Sequence, residues 1–265
     1  MPVLRGRMLT VSKTSVAGSM PDPAGGWDQA GKQPLPRFFI MIGEEEPPQT
    51  ALPVSNFPRA FAVPFWGRDA ELEVLKQFIA SKAVFWEIVG ESGIGRRALV
   101  QEALQYFTVH HGYHVADLCP DMLGRRSWYP WRRLLGRELG FPDAPRRSLV
   151  EDACRRLGLD AEDIPHILTL FGIVEEIDME PPVRRREMAV SVAHLALAVL
   201  GREPALLVCR NSDWLDEPSR EVLVILSRLP LPEKFHGICT AVKSWLSPVA
   251  PEQVQTLELQ RFSEQ

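Results

Sequence analysis

The stretch Ile88-Val89-Gly90-Glu91-Ser92-Gly93-Ile94-Gly95-Arg96-Arg97 decides the fold. Upstream of its glycines, Ala83 to Val89 is a short continuous apolar run, the pattern of a strand buried on both faces. Downstream, Arg96 to Thr108 carries apolar residues at helical spacing. The glycines therefore join a buried strand to a helix. Working outward, the same alternation recurs. Ala70 to Lys82 reads as a helix behind an Asp69 cap, with Leu72, Leu75, Phe78 and Ile79 on one face. Tyr113 to Cys119, Ala205 to Cys209, Gly237 to Val242 and Val254 to Gln260 read as strands. Trp128 to Leu139, Arg147 to Leu157, Ile164 to Phe171, Val183 to Leu200 and Glu217 to Leu229 read as helices, the last capped by Asp216. Strands separated by crossover helices predict an α/β three-layer sandwich around a mainly parallel five-stranded sheet.

The loop sits where a GxxxxGK[ST] phosphate loop would sit. In such a loop glycines let backbone N–H groups wrap phosphates, the helix N-terminus adds partial positive charge, Lys reaches the outer phosphates and Ser or Thr ligates Mg²⁺. With 18 glycines in 265 residues a bare GxxxxG spacing is expected about once by chance, so the placement between strand and helix carries the weight. The glycines are kept and the last two residues are changed. Arg96 replaces the lysine with a wider planar cation, and Arg97 puts a second cation where the metal-binding hydroxyl would be. Two readings stand open: an anion site that works without Mg²⁺, and an empty structural turn.

Composition narrows the classes. Lys and Arg number 30 against 34 Asp and Glu, a formal charge of −4, which gives no global electrostatic case for nucleic acid or an anionic membrane. No run approaches the roughly 18 apolar residues of a membrane span. Cys119, Cys154, Cys209 and Cys239 form no CxxC or Cys/His spacing, so neither zinc nor a disulfide framework is expected, and reduced thiols fit a cytoplasmic protein. The first 21 residues carry Arg5, Arg7 and Lys13 and no acid but lack the apolar core of a secretory signal. Residues 1–63 read as a Pro/Gly-rich linker with one short strand at Arg37 to Ile42, a remnant of a preceding domain, and residues 64–265 as the folded core. The nine arginines of residues 120–160 face six acids and read as solvated helix faces. His110, His111 and His114 straddle a helix end and a strand start and share no metal-binding face.

Four motifs in order carry a family resemblance over residues 64–262. Phe65-Trp66-Gly67-Arg68-Asp69-Ala70-Glu71-Leu72 resembles the F-x-G-R-x-x-E-L opening of the AAA-like ATPase modules of STAND-class signalling proteins, and Ile88 to Gly95 resembles their Walker A loop. Ser127-Trp128-Tyr129-Pro130-Trp131-Arg132-Arg133-Leu134-Leu135 is similar to their Y-x-P-W-R-x-x-L segment, and Ala205 to Asp216 to their Walker B stretch, L-L-L-V-L-E-D-L-H-W-L-D. The resemblance implies a P-loop NTPase-like core with the Walker A and Walker B strands adjacent in the sheet, and ATP or ADP as ligand. It implies that Gly90, Gly93, Ile94, Gly95, Arg96 and Arg97 bind nucleotide, with Arg68 near the adenine and Asn211 positioning a water or phosphate. The departures matter as much. Arg210 and Asn211 replace the family's acidic pair, so the carboxylates that hold Mg²⁺ and polarise water are missing. Asp213 and Asp216 lie about 6 Å or more further along the chain, and loop solvation and helix capping account for them. Thr240 to Lys243 fall in the family's sensor region.

Arg37 to Glu44 resembles the closing strand of a nucleotide-cyclase domain, and Leu257 to Glu264 the strand before the family's helical lid, so the lid is expected to be absent and the chain to be the interior of a larger regulator. The resulting expectation is a degenerate module with no catalytic residues and no metal. It would act as a regulatory or protein-interaction element in signal transduction, with ATP hydrolysis lost and weak, Mg²⁺-independent nucleotide binding. A divergent ATP-hydrolysing sensor domain of a cyclase-linked or transcriptional regulator, and a truncated relic, are the alternatives.

Overall fold

The computed structural model describes residues 65–78, 84–121, 126–173 and 179–261; the strand expected at Arg37 to Ile42 and the whole of residues 1–63 lie outside them. At the centre is β1 (Phe85–Val89), all five residues buried, followed by α2 (Arg96–His111); α1 (Asp69–Lys76) precedes them. Then come β2 (His114–Asp117), α3 (Tyr129–Glu138), α4 (Arg147–Leu157), α5 (Asp163–Leu170), α6 (Pro181–Leu200), β3 (Ala205–Cys209), α7 (Glu217–Arg228), β4 (Phe235–Ala241) and β5 (Val254–Glu258). The five strands form one sheet in the order β2-β3-β4-β1-β5, and every pairing is parallel.

That order corrects one expectation. The strand carrying the glycine loop, β1, does not neighbour β3; β4 lies between them. The register shows one physical reason. Phe85 pairs with Gly237, and a Cβ on Gly237 would stand 2.1 Å from the Phe85 ring. The aromatic ring occupies the space that the glycine leaves, so β4 is shaped to take the place beside β1.

Alternate strand residues feed two cores. Trp86, Ile88, Leu206, Val208 and Ile238 pack with Leu99, Val100, Leu104 and Phe107 of α2 and with Leu72 and Leu75 of α1. Phe85, Leu207, Cys209, Phe235 and Cys239 pack with Leu134, Val192, Leu195, Val222 and Leu226 of the later helices. Each such side chain stabilises the fold by about 1.5–3 kcal/mol relative to an exposed one, which is why the interior strands read as unbroken apolar runs.

Element ends differ from the sequence reading where tertiary contacts act. The first helix starts at Asp69, with Arg68 in a left-handed conformation (φ 72°) as its flanking residue and no side-chain cap, so Asp69 is not the cap; residues 79–83 are outside the described set. Asp216 does cap α7, accepting from Ser219 N at 3.0 Å and also from Trp128 N at 3.2 Å. The edge strands β2 and β5 are shorter than their apolar patterns. Among the described residues no helix is long and apolar enough to cross a membrane.

Candidate functional site

The bend after β1 is a compact loop at the carboxyl end of the sheet. Its path depends on Gly90, at φ 155°, where a Cβ would meet Ile94 Cγ2 and Leu259 O at 3.1 Å and Leu259 Cβ at 3.3 Å. Gly95, at φ 103°, turns the chain into α2 in a conformation that side chains rarely adopt. Ile94 N donates to Glu91 O at 3.3 Å and closes the turn. Among the described residues, the main-chain N–H groups of Ser92, Gly93, Gly95 and Arg96 donate to no protein acceptor. The 16-residue α2 starts here without an acid in its first turn and without a side-chain cap. Unused donors at the positive end of a helix dipole form an anion cradle.

Cations surround it. Arg96 is half-buried, and its Nη1 is enclosed with no hydrogen-bond partner among the described residues. Arg97 is exposed. Arg68 is buried and its guanidinium is committed to neighbours: Nη1 donates to Glu71 Oε1 at 2.7 Å, and Nη2 to Ile94 O at 3.2 Å and Gln260 O at 2.7 Å.

A cleft of about 400 Å³ opens between the loop (Gly90, Glu91), the turn after β4 (Lys243, Ser244) and the outer half of β5 with its exit (Glu258, Arg261). Arg261 Nε donates to Glu91 Oε2 at 2.8 Å, across its mouth. The turn after β4 is held by a residue that the sequence reading passed over. Glu87, fully buried in the middle of β1, accepts from Ser244 Oγ at 2.6 Å and from the N–H groups of Trp245, Leu246 and Ser247 at 2.9, 3.1 and 3.1 Å. A carboxylate inside an otherwise apolar strand was the available signal, because a buried charge demands partners.

The remaining candidate residues lie after β3 and at the end of β4. Asn211 follows β3, left-handed at φ 55°, and its N–H donates to Thr240 Oγ1 at 2.8 Å; β4 separates it from β1. Thr240 is thereby a structural anchor, and its carbonyl also accepts from Ser212 Oγ at 3.2 Å. Arg210 Nη1 donates to Asp117 Oδ2 at 3.0 Å at the end of β2, on the opposite side of β3 from β4. The structure therefore brings Arg68, Gly90, Ile94 and Gly95 together and leaves Asn211 two strands from β1. Arg220 donates to Asp213 O and stacks over Trp245 at 5.4 Å.

The arginines of α3 and α4 are largely spent on local acceptors: Arg137 on Glu138, Arg147 and Arg155 on Glu151, Arg132 on Asp143 O. His114 Nε2 lies 2.8 Å from Glu138 Oε2, a contact that raises the imidazole pKa against the opposing effect of burial. All four cysteines are free; burial pushes the Cys209 thiol, the register partner of Cys239, well above its ordinary value. Neither a scan against protein-family models nor a search of curated proteins finds a match to this chain.

Proposed function

We propose that the chain is a P-loop NTPase-like module of the AAA/STAND kind that binds the phosphates of ATP or ADP at Gly90 to Arg97 without Mg²⁺. Its role is regulatory or interactive in signal transduction, without ATP hydrolysis. The observation that carries this reading is the row of N–H donors at Ser92, Gly93, Gly95 and Arg96, unaccepted among the described residues and set at the start of α2. Its place at the carboxyl end of a parallel sheet, where α/β proteins hold ligands, supports the reading further. So does the half-buried Arg96, whose guanidinium can neutralise a phosphate oxygen.

The residues present do not fit Mg²⁺. Arg97 stands where the metal-binding hydroxyl is required, and the end of β3 offers Arg210, bonded to Asp117, in place of a carboxylate. The same substitutions remove a group to activate water, which supports binding without turnover. Four free thiols accord with a reducing, cytoplasmic setting.

Calorimetric titration of ATP and ADP, each with Mg²⁺ and with EDTA, tests the proposal. Binding that survives EDTA and weakens about tenfold or more in Arg97→Ala is expected. A folded chain that gives no heat with either nucleotide refutes it, and Mg²⁺-dependent phosphate release above background replaces it with an ATPase.

A further inference from the structure

One nitrogen, Arg68 Nη2, holds two main-chain carbonyls: Ile94 O in the loop at 3.2 Å and Gln260 O beyond β5 at 2.7 Å. The Ile94–Gly95 peptide is trans, so its N–H points opposite to its C=O. Holding the Ile94 carbonyl therefore aims the Gly95 N–H, one of the unaccepted donors, away from Arg68. The same bond network fixes the segment leaving β5. Leu259 N donates to Val89 O at 2.9 Å, Leu259 packs at Gly90, and Arg261 pairs with Glu91 of the loop.

From this geometry we infer that Arg68 is a clasp that couples anion binding at the loop to docking of the Leu259–Arg261 segment against β1. The inference rests on the anion-binding reading above and adds its regulation. The sign of the coupling follows from charge. An anion in the cradle adds negative charge beside Glu91, which strengthens the hold on Arg261; a docked Arg261 in turn lowers the cost of bringing the anion in. Linkage makes the two effects equal. The segment after β5 is thereby the element through which occupancy of the loop is read by whatever contacts it.

Amide hydrogen exchange read residue by residue by NMR, on the full chain with and without saturating pyrophosphate, tests the coupling. Leu259 N–H reports docking directly, because its acceptor is Val89 O. Pyrophosphate is expected to slow its exchange by about fivefold or more. Arg68→Lys, which keeps charge but cannot present a planar fork, should bind pyrophosphate more weakly and lose the slowing. Arg261→Gln, an exposed change that leaves the fold intact, should weaken pyrophosphate binding by the same factor by which it loosens the segment. Pyrophosphate that binds without changing Leu259 exchange in the wild-type chain overturns the clasp and leaves the anion site standing. Absence of pyrophosphate binding to the folded chain overturns both.

Discussion

The ends of β1 and β3 face the same side of the sheet and have opposite characters. After β1, donors at Ser92, Gly93, Gly95 and Arg96 are unspent among the described residues, and Arg96 Nη1 is enclosed without a partner. After β3, polar groups are consumed internally: Arg210 by Asp117, Asn211 N–H by Thr240, and Ser212 between the Thr240 carbonyl and Trp245 Nε1. The open donors can meet an outside ligand without breaking a bond within the protein, whereas the polar groups after β3 are bonded to one another.

The largest effect expected on this contrast comes from Glu87→Ala. It strands the Ser244, Trp245, Leu246 and Ser247 donors and should lower stability by about 3–5 kcal/mol in urea denaturation. A loss under about 1 kcal/mol would show that the turn after β4 is held by packing alone. Gly90→Ala comes next, with a cost of about 2 kcal/mol from crowding against Ile94 and Leu259 together with loss of pyrophosphate binding. Asp216→Ala removes a cap shared by two helix starts and should cost about 1–2 kcal/mol while leaving binding unchanged.

The pH dependence is a smaller effect with a definite sign. His236 is buried among Phe78 and Tyr113 with neither ring nitrogen bonded among the described residues, and burial lowers its pKa; His166 is lowered by burial in the same way. Because each folded-state pKa lies below the unfolded value of about 6.5, their contribution is complete above that pH and is lost as pH falls below it. His114, raised, works oppositely: its contribution is complete below about 6.5 and disappears as pH rises through the folded value. His236→Phe should flatten the acid limb of thermal melts between pH 7 and 5; an unchanged limb would assign it to carboxylates instead. The smallest effect is expected from Arg210→Ala, at about 1 kcal/mol or less in stability and less than twofold in anion affinity. A tenfold loss of affinity in that variant would erase the contrast and make the end of β3 part of the site.

Element identity was legible because periodicity reports burial. β3 and α4 fall at the residues their patterns predict, and the Asp216 cap is read correctly from one side chain before an apolar helix. The start of α1 was not legible: Arg68, in a left-handed conformation, and not Asp69, flanks the helix, and the partners of the Arg68 guanidinium include Gln260 O, 192 residues away. Of the candidate site, the glycine loop was visible as spacing and placement. Glu87 stood out as a carboxylate in an apolar run, but its partners, Ser244 to Ser247, lie after another strand and were not legible.

By itself, the sequence determined which segments are strands and which helices, that the sheet is parallel, and that a glycine loop opens α2, since all of these follow from local periodicity and chain connectivity. Only the tertiary structure decided that β4 separates β1 from β3, that Glu87 braces the turn after β4, and that Arg68 is spent on two carbonyls. Strand order and buried polar pairing depend on contacts between residues far apart in the chain, as the ring of Phe85 over Gly237 does, and local pattern carries no record of such contacts.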